Sequence, residues 1–191
     1  DNGAGNASEN HIAIGYRALG VVESVLEGDS NIAIGHDTMG YLSGSSTNNV
    51  SIGGGFGRAS AGVVGSYNVA VGDDTLTAIA GASASQGNVS IGKQNLNSLT
   101  LGNYNISIGR FTLKRLNKAA EAQSKNVAIG YDAGTYLTTG SDNIYIGNAG
   151  PSSETVESDK LYIANALGTP LIGGDFSAGT VTIDGTLNTT G

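Results

Sequence analysis

The sequence predicts an all-β fold in which a chain of 191 residues winds through about eight coils as a β-solenoid. Three observations predict it. A five-residue word close to "NVAIG" recurs eight times, and a recurring word requires a structure that is itself repeated. Within the word, β-branched residues alternate with small ones, which is the period of a strand with one buried face. Thirty-one glycines stand against two prolines, about twice the usual glycine share of roughly 7%. With the many Asn, Ser and Thr residues, that composition describes a chain that turns at regular intervals.

The words are "HIAIG" at 11 to 15, "NIAIG" at 31 to 35, "NVSIG" at 49 to 53, "NVAVG" at 68 to 72, "NVSIG" at 88 to 92, "NISIG" at 105 to 109, "NVAIG" at 126 to 130 and "NIYIG" at 143 to 147. Their closing glycines stand 20, 18, 19, 20, 17, 21 and 17 residues apart. That spread fits a constant coil carrying loops of varying length on one side. In the seventh word, Val127 and Ile129 are expected to face one way, into the core, and Asn126 and Ala128 the other. A second short element follows the glycine in "GYRAL", "GHDTM", "GDDTL", "GKQNL" and "GRFTL", placing Leu19, Met39, Leu76, Leu96 and Leu113 four residues on as further core groups. Each coil then offers about three inward apolar side chains. Before the word, "GDSN", "GSYN", "GNYN" and "GSDN" supply turn chemistry, since glycine takes positive φ and Asn or Asp bonds its own backbone.

Two columns are structural. Gly35, Gly53, Gly72, Gly92, Gly109, Gly130 and Gly147 close the words, and Asn31, Asn49, Asn68, Asn88, Asn105, Asn126 and Asn143 open them, with His11 in that place in the first. Stacked at about 4.8 Å per coil, those amides can bond one another as an Asn ladder. A third column holds Ala13, Ala33, Ser51, Ala70, Ser90, Ser107 and Ala128, then Tyr145. It is expected to form an outward face kept clear of bulk. Three apolar groups at about 1.5 to 3 kcal/mol each scarcely offset roughly 1 to 2 kcal/mol of ordering cost for every residue in the coil, so packing against copies of the same chain is expected. The repeat domain is expected over residues 1–150 and a β-rich C-terminal segment over 151–191, with the boundary in the polar stretch 148 to 160, "NAGPSSETVESD" included. Within that segment, Asp184-Gly185 in "TVTIDGTLN" is expected at a hairpin turn.

A net charge of −7 argues against nucleic acid as a partner, because phosphate binding needs a basic surface. With no Cys there is neither disulfide framework, thiolate chemistry nor Cys-based zinc site. No apolar run approaches the ~20 residues of a membrane span, and, as the chain opens on Asp1 without an initiator Met, it is expected to be a piece of something longer. No catalytic constellation is expected. Asp37, Asp74 and Asp132 share one repeat position but sit in coils two, four and seven, at least ~10 Å apart along the axis, beyond a retaining pair of carboxylates and near the inverting limit. They read as solvated turn carboxylates. His11 and His36 lack the neighbours of a metal site, "GGGFG" at 53 to 57 lacks the Lys and helix of a phosphate loop, and no calcium-loop spacing occurs, so no cofactor or metal is expected. The one uneven charge distribution is "RFTLKRLNKAAEAQSK", with Arg110, Lys114, Arg115, Lys118 and Lys125. It reads either as an exposed loop or short helix, or as a contact for an anionic glycan centred on Lys114, Arg115 and Lys118.

The eight words, five of them followed by the second short element, resemble the head repeat of trimeric autotransporter adhesins, a left-handed parallel β-roll, over residues 10 to 150, although in coil three "GGGFGRASAG" puts glycines in place of the second strand. The same repeat with longer loops occurs in phage tail fibres and tail-fibre-like bacterial surface proteins. The irregular loops here, and "KLYIANALGTPLIGGDFSAGTVTIDGTLNTTG" at the C-terminus, look like the fibre branch. The resemblance implies a homotrimer in a virion tail fibre or at a cell surface, attaching to a glycan or protein receptor, with this segment not inserted in a membrane. Its alternatives are a bacterial adhesin head and a purely structural shaft or capsid decoration. Recognition is expected in the inserted segments 21 to 30, 41 to 48, 58 to 67, 77 to 87 and 114 to 125.

Overall fold

A computed structural model of the chain describes residues 10–20, 28–40, 46–57, 65–79, 85–117 and 123–187. These residues are all β, with no helix, and form a β-solenoid of about seven turns: eight copies of the word bound seven windings. The words are strands β1 (Ile12–Ile14), β2 (Ile32–Ile34), β3 (Val50–Gly54), β4 (Val69–Asp73), β5 (Val89–Lys93), β6 (Ile106–Arg110), β7 (Val127–Tyr131) and β8 (Ile144–Gly147). Each pairs in parallel with the next, in a register that lays every word over its neighbour. The sheet crosses the stretch 148 to 160 without a break, since β8 pairs in parallel with β9 (Lys160–Ala164). Only then does the topology change: β10 (Ile172–Asp175) and β11 (Thr180–Ile183) continue the sheet antiparallel.

The faces of the word are the reverse of the sequence expectation. Ala128 is 0% exposed while Ile129 beside it is 40% exposed. The same holds along the array: Ala33, Ser51, Ala70, Ser90 and Ser107 are buried, and Ile12, Ile14, Ile52, Ile91, Ile106 and Ile146 stand exposed. The interior is one side chain thick, because the limb after each glycine folds straight back over the strand. Met39, Leu76, Leu96 and Leu113 fill it from that limb, which leaves room only for Ala or Ser from the strand. Ser51 shares a hydrogen bond with Thr38 and Ser107 with Thr112 across this gap. The small column is therefore the core wall, and it offers no surface to a neighbouring chain.

Where the limb lacks its large side chain, another supplies the volume. Coil three has Gly57 at that place, and buried Phe56 fills it. Coil seven has Gly134, and the Tyr145 ring of the next strand lies over it, so close that a Cβ on Gly134 would sit 2.7 Å from the ring. That packing accounts for the one bulky residue in the small column.

Each winding turns at four left-handed corners: the residue before the opening Asn, the closing Gly, and the residues two and four beyond it. In the sixth coil these are Tyr104 (φ 62), Gly109 (φ 134), Phe111 (φ 61) and Leu113 (φ 47). The turn ahead of the word thus takes its positive φ at the residue adjoining Asn, such as Ser30, Asn48, Lys125 or Asp142, as well as at Gly65 and Gly102 upstream of it. The C-terminal hairpin also differs from expectation. It turns through residues 176 to 179, with Gly179 at φ 66, and Asp175 Oδ1 accepts from Ser177 Oγ at 2.6 Å and Ala178 N at 3.0 Å. Asp184 lies beyond β11 and still pairs, its N donating to Leu171 O at 2.9 Å. The turn thus forms where Asp175 caps it, between the paired Asp175 and Thr180, and not at the Asp-Gly dipeptide.

Candidate functional site

The scaffold that carries any site is a continuous amide column. Asn49, Asn68, Asn88, Asn105, Asn126 and Asn143 each donate from Nδ2 to the Oδ1 of the preceding Asn at 2.9–3.2 Å. The same Oδ1 also accepts the backbone N–H of the following Asn, at 3.0 or 3.1 Å. The second Nδ2 hydrogen goes to a corner carbonyl, as from Asn88 to Gly102 O at 2.9 Å and Asn126 to Gly140 O at 3.0 Å. His11 heads the column, its Nδ1 accepting from Asn31 N at 3.1 Å, and Asn143 Oδ1 ends it by accepting from Lys160 N at 2.9 Å. All seven Asn are buried, so every polar atom they satisfy would otherwise be stranded. Beside them the closing glycines stack backbone on backbone: a Cβ on Gly92 would fall 1.7 Å from Gly109 O.

On the outside, the position after the glycine forms a column of Tyr16, His36, Gly54, Asp73, Lys93, Arg110 and Tyr131, polar or aromatic at every place but Gly54. Tyr16 stacks on His36 with centroids 5.3 Å apart. Asp73 pairs with Lys93 at 2.9 Å, and Asp37 is held by Arg17 at 3.5 Å and His36 at 3.2 Å. Asp37 and Asp73 are thus held by side chains of the neighbouring coil or of the adjoining residue.

The column becomes a basic, aromatic surface on coils six and seven. Arg110 lies 4.3 Å and Lys114 4.5 Å from the centroid of Phe111, and Arg110 also lies 6.0 Å from that of Tyr131. Phe111 and Tyr131 meet edge to face at 6.1 Å. Asp132 beneath them has its carboxyl raised by burial, with the charges of Lys114 and Arg110 pulling in the opposite direction. Among the described residues neither Arg110 nor Lys114 forms an ion pair, so both cations face outward on aromatic supports. Arg115 goes elsewhere: it donates to Glu154 at 2.5 Å and lies over Tyr136 at 4.9 Å.

Of the residues singled out in the basic stretch, Lys114 joins this surface, Arg115 is engaged in a separate cross-coil contact, and Lys118 lies outside the described residues. So does part of each of the five inserted segments. The helical alternative fails over the described part, because Leu113 and Leu116 are buried in the solenoid core and residues 111 to 115 form a turn. Tyr131 and Tyr136 lie outside the stretch and are missed by reading it by itself, and Phe111 within it is missed by reading its charges alone. Aligning the words would have placed Arg110 and Tyr131 at one repeat position, which is where β6 and β7 pair them.

A second cluster closes the core at the last coil. Glu157 accepts from Tyr145 Oη at 2.9 Å and from Tyr162 Oη at 3.2 Å, and the two rings stack at 5.6 Å. Burial and the Glu157 carboxylate push Tyr162 up to about 12 and Tyr145 higher still. Among the described residues no group of three His, Cys, Asp or Glu side chains is arranged to hold a metal ion, and no helix is long and apolar enough to cross a membrane. Compared with protein-family models, curated proteins and solved structures, the chain matches none.

Proposed function

We propose that the protein is a non-enzymatic, homotrimeric module of an attachment fibre, of the phage tail-fibre kind, built on a left-handed β-roll that holds its binding surfaces outward toward a host or target cell. The observation that carries this reading is the outer face of the sheet. Ile14, Ile34, Ile52, Val71, Ile91, Ile108, Ile129, Ile146, Ile163, Ile172 and Ile183 stand side by side through all eleven strands, across the change from parallel to antiparallel pairing. A parallel column of Ile12, Ile32, Val50, Val69, Val89, Ile106, Val127, Ile144 and Leu161 runs beside it. A straight apolar ribbon of that length, partly exposed, is the kind of surface that further copies of the chain cover. Three rolls lying parallel would bury it along a common axis and leave the corners outside.

Attachment by such a module works through avidity. Three copies present the same surface at fixed spacing, so individually weak contacts combine through effective concentration. The Arg110–Phe111–Lys114–Tyr131 surface supports an anionic glycan as one such contact, because paired cations can take carboxylate or sulfate groups while the rings take sugar faces. Light scattering tests the assembly, with three chain masses expected and a single chain mass overturning it. Retention on a sulfated-polysaccharide column tests the contact. Arg110→Ser and Lys114→Ser together should lower the salt needed for elution without changing thermal stability, and unchanged elution would remove this surface from the proposal.

A further inference from the structure

We propose that the corners of coils three to six form a second binding surface, for a linear neutral glycan whose pyranose rings stack on Tyr67 and Tyr104. Both tyrosines stand at the left-handed corner before the opening Asn, at φ 62, and both are exposed, at 60% and 46%. Other coils place Ser30, Asn48, Gly87, Lys125 or Asp142 there, residues that are small or polar. A large aromatic side chain at a left-handed, solvent-facing corner carries a conformational cost and leaves apolar surface in water. A structural role would put such a ring inside.

The geometry gives these rings an available face. A Cβ on Gly87 would fall 2.7 Å from Cδ1 and 2.9 Å from Cε1 of Tyr104, so that ring lies down on the bare Gly87 backbone and turns its other side outward. Tyr67 stands two coils from Tyr104, about 10 Å along the axis, a length comparable with a disaccharide unit. Between and beside the rings lie hydrogen-bonding groups. Thr47 Oγ1 donates to Ser66 Oγ at 3.2 Å and Asn103 Oδ1 accepts from Gln86 N at 2.8 Å, while the Gln86 side chain is exposed.

Charge selects the ligand class. The four stacked corners at residues 46–49, 65–68, 85–88 and 102–105 hold no Asp, Glu, Lys, Arg or His. The corners on either side do, with Asp29 before them and Lys125 and Asp142 after. An uncharged strip on an otherwise charged solenoid, with aromatic faces and amide and hydroxyl rims, matches a neutral sugar chain rather than an anionic one or a charged peptide. This inference shares with the proposed function the premise of a glycan receptor. It concerns a site within one chain, so failure of assembly would leave it standing, and its own failure would leave assembly standing.

The test titrates the intact protein with cellohexaose, maltohexaose and mannohexaose, by calorimetry and by saturation transfer from the tyrosine ring protons. At least one hexaose is expected to bind and to receive saturation. Tyr67→Asn and Tyr104→Asn should each weaken binding about tenfold, the loss of one stacking contact. Asn suits the corner, as Asn48 shows, so these variants should fold at least as stably as the parent, and Tyr16→Ser should bind as the parent does. Failure of all three hexaoses to bind would overturn the proposal. So would binding that survives the double variant, or an altered native mass in either variant, which would put the rings in the self-association surface instead.

Discussion

Asn88→Ala tests the amide column at its centre. The side chain makes four hydrogen bonds with no solvent access, and truncation removes all of them. Asn105 loses the acceptor of its backbone N–H at 3.0 Å and of one Nδ2 hydrogen at 2.9 Å, and Gly102 O loses its donor at 2.9 Å. Asn68 Oδ1 loses one donor at 3.1 Å but keeps the Asn88 backbone N–H at 3.0 Å, which the substitution retains. Three polar groups are therefore stranded. At about 1 to 3 kcal/mol for each, with some relaxation, the loss comes to roughly 3 to 6 kcal/mol. Asn143→Ala should cost about half as much, because its Oδ1 accepts only from Lys160 N, at a part-buried site. Asn88→Asp keeps both acceptor roles toward Asn105 but sets a second oxygen against Asn68 Oδ1 and Gly102 O. Burial raises that carboxyl's pKa, so its share of stability is present below the unfolded value of about 3.9 and is lost as pH rises through the folded value. Urea denaturation followed by circular dichroism at constant m, with amide exchange over coils four to six to detect partial unfolding, measures all three. A loss under about 1 kcal/mol for Asn88→Ala, the size of one ordinary hydrogen bond, would refute the reasoning.

Gly92→Ala should abolish folding of the central coils, since its Cβ would lie 1.7 Å from Gly109 O at φ +132, whereas Gly179→Ala meets nothing within 4 Å and should cost only ~1 kcal/mol; thermal melts of the pair check this. Ala70→Arg should unfold the protein because it puts a charge in the solenoid interior, while Ile129→Lys should keep the β spectrum and lower the native mass. An Ile129→Lys protein of parental mass would show that the apolar ribbon is not the assembly face. Raised phenols at Tyr145 and Tyr162 favour the neutral form in the fold, so their contribution is complete below the ordinary tyrosine range near 10; the Tyr162 share is lost as pH rises through about 12 and the Tyr145 share only above that. Phenolate absorbance and circular dichroism should therefore change together at the end of an alkaline titration, and Tyr162→Phe should move that step; full ionisation with the β signal intact would contradict it.

The sequence by itself determined the winding. The word, its eightfold recurrence, the Asn that opens it and the Gly that closes it were legible because each answers a local requirement repeated at every coil: a strand period, a buried amide, a backbone too close to its neighbour for a Cβ. Which face of the strand lies inside was not legible. Alternation at period two separates Val127 and Ile129 from Ala128 but is blind to direction, and the usual rule that larger apolar residues go inward fails when the opposing limb returns so tightly that Leu96 or Leu113 already fills the interior. Only the tertiary structure decided that, and with it the meaning of both columns, since the Ala and Ser positions became the core wall and the Ile and Val positions an outer ribbon. It also decided the grouping of the basic stretch. Arg110 and Lys114 share Phe111, whereas Arg115 reaches 39 residues along the chain to Glu154. Such contacts depend on which coils stack, and a reading of neighbours along the chain does not contain that information.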